Sequence, residues 1–279
     1  MLTTTASTSE FPKVYVFDLD GVMYRGSEPV VYAAETLERL RARADKPRLY
    51  FLTNNSSQTR AHYREKLTAM GMPCEEEEIV TSASATAAYL RLHHDAVGKR
   101  ALAVGGIGIV DELTRAGIAT ERAGDTEARE GERFDFVVVG MDRDFDYERL
   151  YRAQQAILGG ALFVATNRDG QYPLEGGRVV PGGGSMVAAV QAAADAVPLV
   201  IGKPEPYGLQ TILDLAGVAP SEAVMVGDRL DTDVLCGNRL NVPTVLVLTG
   251  VTTRERAEAL AAADPALAPG RIIEDLRDL

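Results

Sequence analysis

Cysteine is nearly absent from this chain, and the shortage narrows its chemistry at once. Cys74 and Cys236 are the only two; two cannot build a disulfide framework, and they offer no zinc-ligand spacing. They are expected as buried thiols in a reducing cytosol. Histidine is almost as scarce: His62, His93 and His94 lie in charged, helical surroundings and are expected at the surface rather than as ligands. No long apolar run occurs. The start, "MLTTTASTSEFP", is polar and holds no segment fit for a signal peptide, and no later stretch approaches a membrane span. It reads as a loose tail on a cytoplasmic protein. Positive charge is also in deficit. A net charge of -11 argues against nucleic acid or an anionic membrane as partner, because both attract basic surfaces. A small anionic substrate is still compatible, since a metal ion and one lysine can reverse the field locally.

Nucleotide-binding and serine-hydrolase signatures are missing too. In "AVGGIGIVDEL", Gly106 and Gly108 are followed by Asp111 where the third glycine of a dinucleotide fingerprint should stand. Lys203 is followed by Pro204, which excludes a P-loop, and no GxSxG surrounds Ser185.

What the chain does have is core. Its 279 residues are 46% hydrophobic and 25% charged, enough for one large domain or two smaller ones. Short apolar runs recur, each closed by glycine or polar residues: "VYVFDLDG", "RLYFLTNNSS", "ALAVGG", "FDFVVVGMD", "LFVATNRDG", "PLVIGKPEP", "AVMVGDRLD" and "PTVLVLTG". Between most of them lie amphipathic stretches of helical length, such as "AAETLERLRAR", "DYERLYRAQQAIL" and "YGLQTILDLAG". Strands alternating with helices imply an α/β protein, with doubly wound parallel sheets covered on both faces and right-handed crossovers.

In such sheets ligands bind outside the carboxyl ends of the strands, where the topology switches. Polar residues collect there in four segments, "DLDG", "TNNSS", "GKPEP" and "GDRLDTD". The last two follow the first two by well over a hundred residues. The spacing predicts one core sheet in two halves, residues 1–80 and 199–279, with an α/β domain inserted at 81–198. The acidic run Glu75 to Glu78 is expected as a solvated loop entering that insert.

Asp18 and Asp20 are two apart on a strand, so both can address one point. Converging carboxylates need a cation between them or a proton on one. Asp228 brings a third from another strand, a set that suits Mg2+. Taken alone, the aspartate pair is equally well a turn or a helix cap. Thr53, Asn54 and Asn55 offer a hydroxyl, amides and backbone N–H groups that hold a phosphate without adding charge. Lys203 supplies an ammonium that would neutralise phosphate and nucleophile together.

Together, in this order, the four segments resemble the motifs of the haloacid dehalogenase (HAD) superfamily of phosphohydrolases. The likeness covers residues 13–275 or so. The insert, with "ATNRDG", "PGGGS" and "LTGVTTRE" along the way, resembles the subclass with a large α/β cap on a Rossmann-like core, which contains NagD-type, phosphoglycolate, pyridoxal phosphate and para-nitrophenyl phosphate phosphatases. The resemblance implies Mg2+-dependent hydrolysis of small phosphomonoesters through an aspartyl phosphate. It implies Asp18 as nucleophile and Asp20 as general acid and then base. Asp18, the backbone carbonyl of Asp20 and Asp228 would ligate the metal, with Asp233 orienting its shell. Thr53, Asn54, Asn55 and Lys203 would hold the phosphoryl oxygens. With a reference pKa of about 3.9, Asp18 is expected ionised near pH 7, with no separate base.

Substrate choice is assigned by the same resemblance to the cap segment "LFVATNRDGQYP", with Asn167, Arg168, Asp169 and Tyr172 facing the core. Pyridoxal phosphate phosphatases have a histidine just before the proline; Tyr172 stands there instead, which weighs against that substrate. "PGGGS" is expected first as a tight helix entry and second as a substrate loop. The resemblance also allows a homodimer through the cap. Two other readings stay open: a phosphatase committed to a nucleotide or sugar phosphate, and a silent protein that binds phosphorylated metabolites.

Overall fold

The computed structural model describes residues 11–129, 131–173 and 178–279; the first ten residues of the polar start, read as a loose tail, lie outside the described residues. In chain order the strands are β1 (Val14–Phe17), a hairpin of β2 (Tyr24–Arg25) and β3 (Glu28–Pro29), β4 (Arg48–Thr53), β5 (Ile79–Thr81), β6 (Arg100–Val104), β7 (Ala119–Arg122), β8 (Phe136–Val139), β9 (Leu162–Ala165), β10 (Gln171–Pro173), β11 (Val179–Pro181), β12 (Leu199–Val200), β13 (Ala223–Gly227), β14 (Thr244–Val247) and β15 (Arg271–Ile273). Two larger sheets result, both parallel. The first has the spatial order β15-β14-β13-β1-β4-β5. The second has the order β12-β9-β8-β6-β7 and lies, in sequence, between the halves of the first.

The period of two along each strand explains how the first sheet is buried. Val14 and Val16 of β1 enter one apolar cluster, while Tyr15 and Phe17 enter another on the opposite face. A sheet covered on both faces is the doubly wound α/β arrangement that the alternating pattern implies. The first of these clusters does not stop at the core. It continues through the helices Ser82–His94 and Tyr207–Ala216 into Ala101, Ala103, Phe136, Val138 and Val164 of the second sheet. Each large apolar side chain buried this way stabilises by about 1.5–3 kcal/mol, against about 1 kcal/mol for a hydrogen bond. The two sheets are therefore held together by apolar packing, and the polar contacts between them set geometry.

Each sheet has one switch point, between β1 and β13 in the first and between β6 and β8 in the second. The carboxyl ends of the two sheets face one another across the loop that follows β4. Ser56 Oγ lies 3.0 Å from Thr166 Oγ1, just beyond β9. Gly106 and Gly108, beyond β6, pack so closely on this loop that a Cβ would come within 2.3 Å of Ser57 O and 2.2 Å of Gln58 O. Backbone contact with the core, rather than with a nucleotide, explains why glycine stands at both positions.

Two expectations are corrected. Leu199 and Val200 pair with Val164 and Ala165, so the second sheet runs past the expected boundary at 198/199; a two-residue ladder is invisible in an apolar run that simply continues. The run Glu75 to Glu78 is more than a solvated loop: Glu76–Glu78 forms a 3-10 turn in which Glu76 receives Arg64 at 3.3 Å and Arg115 at 3.2 Å.

Candidate active site

Asp18 leaves the end of β1 and Asp228 the end of β13, the two strands that flank the first sheet's switch point. Asp233 joins them from a wide π-helical turn, Leu230–Val234, a distortion common at functional positions. The three carboxylates offer ligand atoms within 4.8 Å of one another. Lys203 Nζ donates to Asp18 Oδ1 and to Asp233 Oδ1, each at 2.6 Å, and to Leu52 O at 3.1 Å. All four side chains are buried.

Packing three acids around one ammonium has electrostatic consequences. Burial raises Asp18 well above its ordinary value; Lys203 pulls it down, while Asp233 and Asp228 push it further up. Asp228 is raised to about 7, by burial first and Asp233 second. Asp18 therefore does not stand in the surroundings of a free aspartate: burial and two neighbouring acids act against its charge, and Lys203 acts for it. Burial works against the charge on Lys203, but Asp18 and Asp233 outweigh it and hold the ammonium above its ordinary value.

A divalent cation fits what is missing here. Asp228 Oδ2 accepts from Val251 N at 2.8 Å, but Asp228 Oδ1 is buried with no hydrogen-bond partner among the described residues. An orphan oxygen beside two other carboxylates is a hard-cation donor set. Asp18, Asp228 and Asp233 are the carboxylates placed to hold such an ion. Asp20 contributes no side chain to this group.

Asp20 sits to one side, half-buried, among aromatic hydroxyls. Tyr172, from β10, donates to Asp20 Oδ1 at 3.2 Å. Burial raises the Asp20 carboxyl above its ordinary value, against the pull of Lys66, the Tyr172 hydrogen bond and Lys203. Lys66 Nζ stands 3.5 Å from the centre of the buried Tyr24 ring. Neither Lys66 nor Tyr24 was singled out from the sequence; the signal available was Lys66 standing three residues after the buried Tyr63 on one helix, Arg60–Ala69.

Thr53 closes β4, and the loop after it brings Asn54 against Lys203, with Asn55 next in the turn. Thr53 Oγ1 accepts from Asn55 N at 3.1 Å, and Asn55 Oδ1 accepts from Ser57 N and Oγ at 3.0 and 2.7 Å. Asn54 departs from expectation. Its Nδ2 donates to Asp169 Oδ2 and to Lys203 O, both at 2.9 Å, so both amide hydrogens are engaged inside the protein. The cap residues divide. Tyr172 meets the site, whereas Asn167 is buried and engaged, with Nδ2 donating to Asn54 O at 2.7 Å and Oδ1 accepting from Asp169 N at 3.0 Å. A buried amide must pair, and the nearest partners were backbone. Arg168 is exposed and reaches Gln191 at 3.0 Å instead.

Comparison with known proteins agrees with this arrangement. The family model described as haloacid dehalogenase-like hydrolase matches residues 15–119, and a HAD-hydrolase-like model matches residues 200–279. The chain is 39% identical to the glycerol-3-phosphate phosphatase of Gallus gallus, over 95% of this chain and 89% of that protein. It is 36% identical to an acid sugar phosphatase of Staphylococcus saprophyticus, over 88% and 90%. A solved structure of a glycerol phosphate phosphatase from Mycobacterium tuberculosis, in complex with magnesium, superposes with a TM-score of 0.84 at 35% identity, covering 95% of this chain and 75% of that one; another structure of the same enzyme is in complex with calcium. The chain belongs to the haloacid dehalogenase-like hydrolases. Within that family it is a hydrolase of the phosphatase type, on a Rossmann-like core with an α/β cap.

Proposed function

We propose that this protein is a Mg2+-dependent phosphatase of small phosphomonoesters, working through an aspartyl phosphate formed on Asp18. The observation that carries the reading is the single ammonium of Lys203 lying 2.6 Å from both Asp18 and Asp233 at the switch point of the first sheet. Asp18 Oδ attacks phosphorus in line with the leaving oxygen, and the P–O bond to the alcohol breaks. Asp20 delivers a proton to that alkoxide; it later takes one from the water that attacks the aspartyl phosphate and returns Asp18 as carboxylate. Lys203 stays charged throughout, supported by its two acids, and offsets the negative charge that phosphate adds. Thr53 and the backbone N–H group of Asn54 orient the phosphoryl oxygens, while the Asn55 N–H is given to Thr53 Oγ1 and shapes the turn. Held by Asp18 and Asp228, with the Asp20 carbonyl as a further ligand and Asp233 orienting the shell, Mg2+ would supply Lewis-acid charge stabilisation.

Tyr172 closes the leaving-group side of Asp20 and is the cap residue we assign to substrate choice. Glycerol phosphate and sugar phosphates are the substrate classes that the named relatives suggest, and phosphoglycolate is the one that the subclass resemblance adds. The two free, buried cysteines support a reducing compartment, and no described helix is long and apolar enough to cross a membrane. The test is phosphate release from a panel of these esters with Mg2+, before and after excess chelator. Turnover that disappears with chelator and returns with Mg2+ is expected. A panel that is inactive throughout would favour a binding protein instead, and undiminished turnover in chelator would remove the metal assignment.

A further inference from the structure

Asp169 belongs to none of the groups that meet phosphate or metal, yet it touches the loops on either side of them. Its Oδ2 accepts from Asn54 Nδ2 at 2.9 Å, and its Oδ1 lies 3.6 Å from Arg229 Nη1. Asn54 follows Thr53 at the end of β4, and Arg229 follows Asp228 at the end of β13. One carboxylate from the second sheet thus spans two loops of the first. We infer that Asp169, balanced by the nearby Arg229 that Asp231 holds in place, is a positioning residue through which the cap fixes Asn54 in the arrangement that phosphoryl transfer needs.

The chain of contacts is short. Asn54 is held at its carbonyl by Asn167 Nδ2 at 2.7 Å and at its amide by Asp169, while the second amide hydrogen goes to Lys203 O at 2.9 Å. Pinned at side chain and backbone, Asn54 has one direction left for its N–H. Asp169 itself has little room to move. Its N–H donates to Asn167 Oδ1 at 3.0 Å, and a Cβ on Gly182 would come within 2.3 Å of Asp169 O, as would one on Gly184 of Arg168 O. The glycines of "PGGGS" therefore seat this loop. A carboxylate this near a phosphate site would repel the substrate as a direct ligand. Paired with Arg229, it acts through its neighbours instead. The role is positional rather than adhesive, since the apolar cluster shared by the two sheets holds them together without this contact.

The inference rests on the phosphatase reading, and the test separates the two. Wild type, D169A and D169N are compared on p-nitrophenyl phosphate with saturating Mg2+, with orthovanadate as inhibitor to mimic five-coordinate phosphorus. In D169A, kcat falls about 10- to 100-fold, as expected for a misplacement near 1 Å, while KM stays within about threefold. Vanadate affinity falls with kcat/KM, because both report transition-state complementarity. D169N keeps an acceptor for Asn54 and recovers part of the loss. Two results would overturn the inference: D169A with kcat and vanadate inhibition within about twofold of wild type, or a lowered thermal midpoint with vanadate inhibition unchanged. If D169N were no better than D169A, the hydrogen bond to Asn54 would not be the route. An inactive wild type would remove the phosphatase reading and this inference with it; an active wild type beside an indifferent D169A removes this inference alone.

Discussion

Asp18 and Asp228 at the end of the first sheet, and Glu121 and Glu132 on the flank of the second, are all acids set back from water, yet their surroundings push them in opposite directions. Glu132 lies below its ordinary value through its hydrogen bond with Arg152. Glu121 lies below it despite burial, through Arg100 and Arg152. Arg152 reaches Glu132 at 2.7 Å and Glu121 at 3.0 Å, and Arg100 reaches Glu121 at 2.5 Å. Two carboxylates there share two guanidinium groups. In the core, three carboxylates share one lysine, and Asp18 and Asp228 are raised. The cap neutralises its charges for the sake of the fold. The core leaves an excess of negative charge that folding alone does not relieve, an arrangement that fits a cation.

The largest expected effect breaks the core side of this contrast. Asp18→Asn should lower phosphate release by at least about 10^3-fold, since an amide is a poor nucleophile of the same shape. Its thermal midpoint should hold or rise, because one of the crowded charges is gone. Appreciable turnover in the purified variant would defeat the nucleophile assignment. Next comes the cap. Arg152→Ala strands Glu132 and leaves Glu121 to Arg100 alone, and should destabilise by about 3 kcal/mol, read from denaturant midpoints. At temperatures where it stays folded, kcat should match wild type, and a loss of kcat there would blur the division of roles. Adding Mg2+ to wild type should then raise stability, by about 2.7 kcal/mol at a hundredfold excess over its dissociation constant. Asp228→Asn should blunt that gain, and an unchanged midpoint in wild type would contradict the fit of the acidic site to a cation.

The smallest effect sharpens the comparison by pH. Glu121 and Glu132 both titrate below 4.5 in the folded protein. Their contribution is complete above that value and is lost as pH falls through the lower, folded-state values. The destabilisation caused by Arg152→Ala should therefore shrink as pH drops below about 4.5, read as the gap between the two thermal midpoints. A gap independent of pH would mean that Arg152 stabilises by packing alone.

The sequence made the strand ends of the core legible because each functional group there closes an apolar run, and the doubly wound arrangement then has only one place to bring such ends together. Asp18, Lys203 and Asp228, which the fold brings together, were read that way, and Thr53 closes the neighbouring strand. Short strands such as β5, β7 and β15 carry three or four residues with no distinctive pattern; they exist through neighbours far away in the chain. The same holds for the amides of Asn54 and Asn167. Asn54 was expected in a phosphate cradle and Asn167 in the cap's substrate-facing segment, but an amide set back from water takes whichever partner folding brings, and here each took the other sheet. The raised Asp18 was out of reach for a related reason, since a reference pKa knows nothing of two further carboxylates from distant strands. Tyr172 was suggested through family resemblance; its contact with Asp20 across 152 positions needed the fold.

The loop at Ser57 and Gln58 fills the notch between β6 and β8, the spot where an open parallel sheet ordinarily receives its guest. To the cap, then, a stretch of the core is the permanent tenant of its own binding crevice. The crevice of the second sheet is thus already occupied by a loop of the first, and it is in the crevice of the first that Asp18, Asp228 and Lys203 gather.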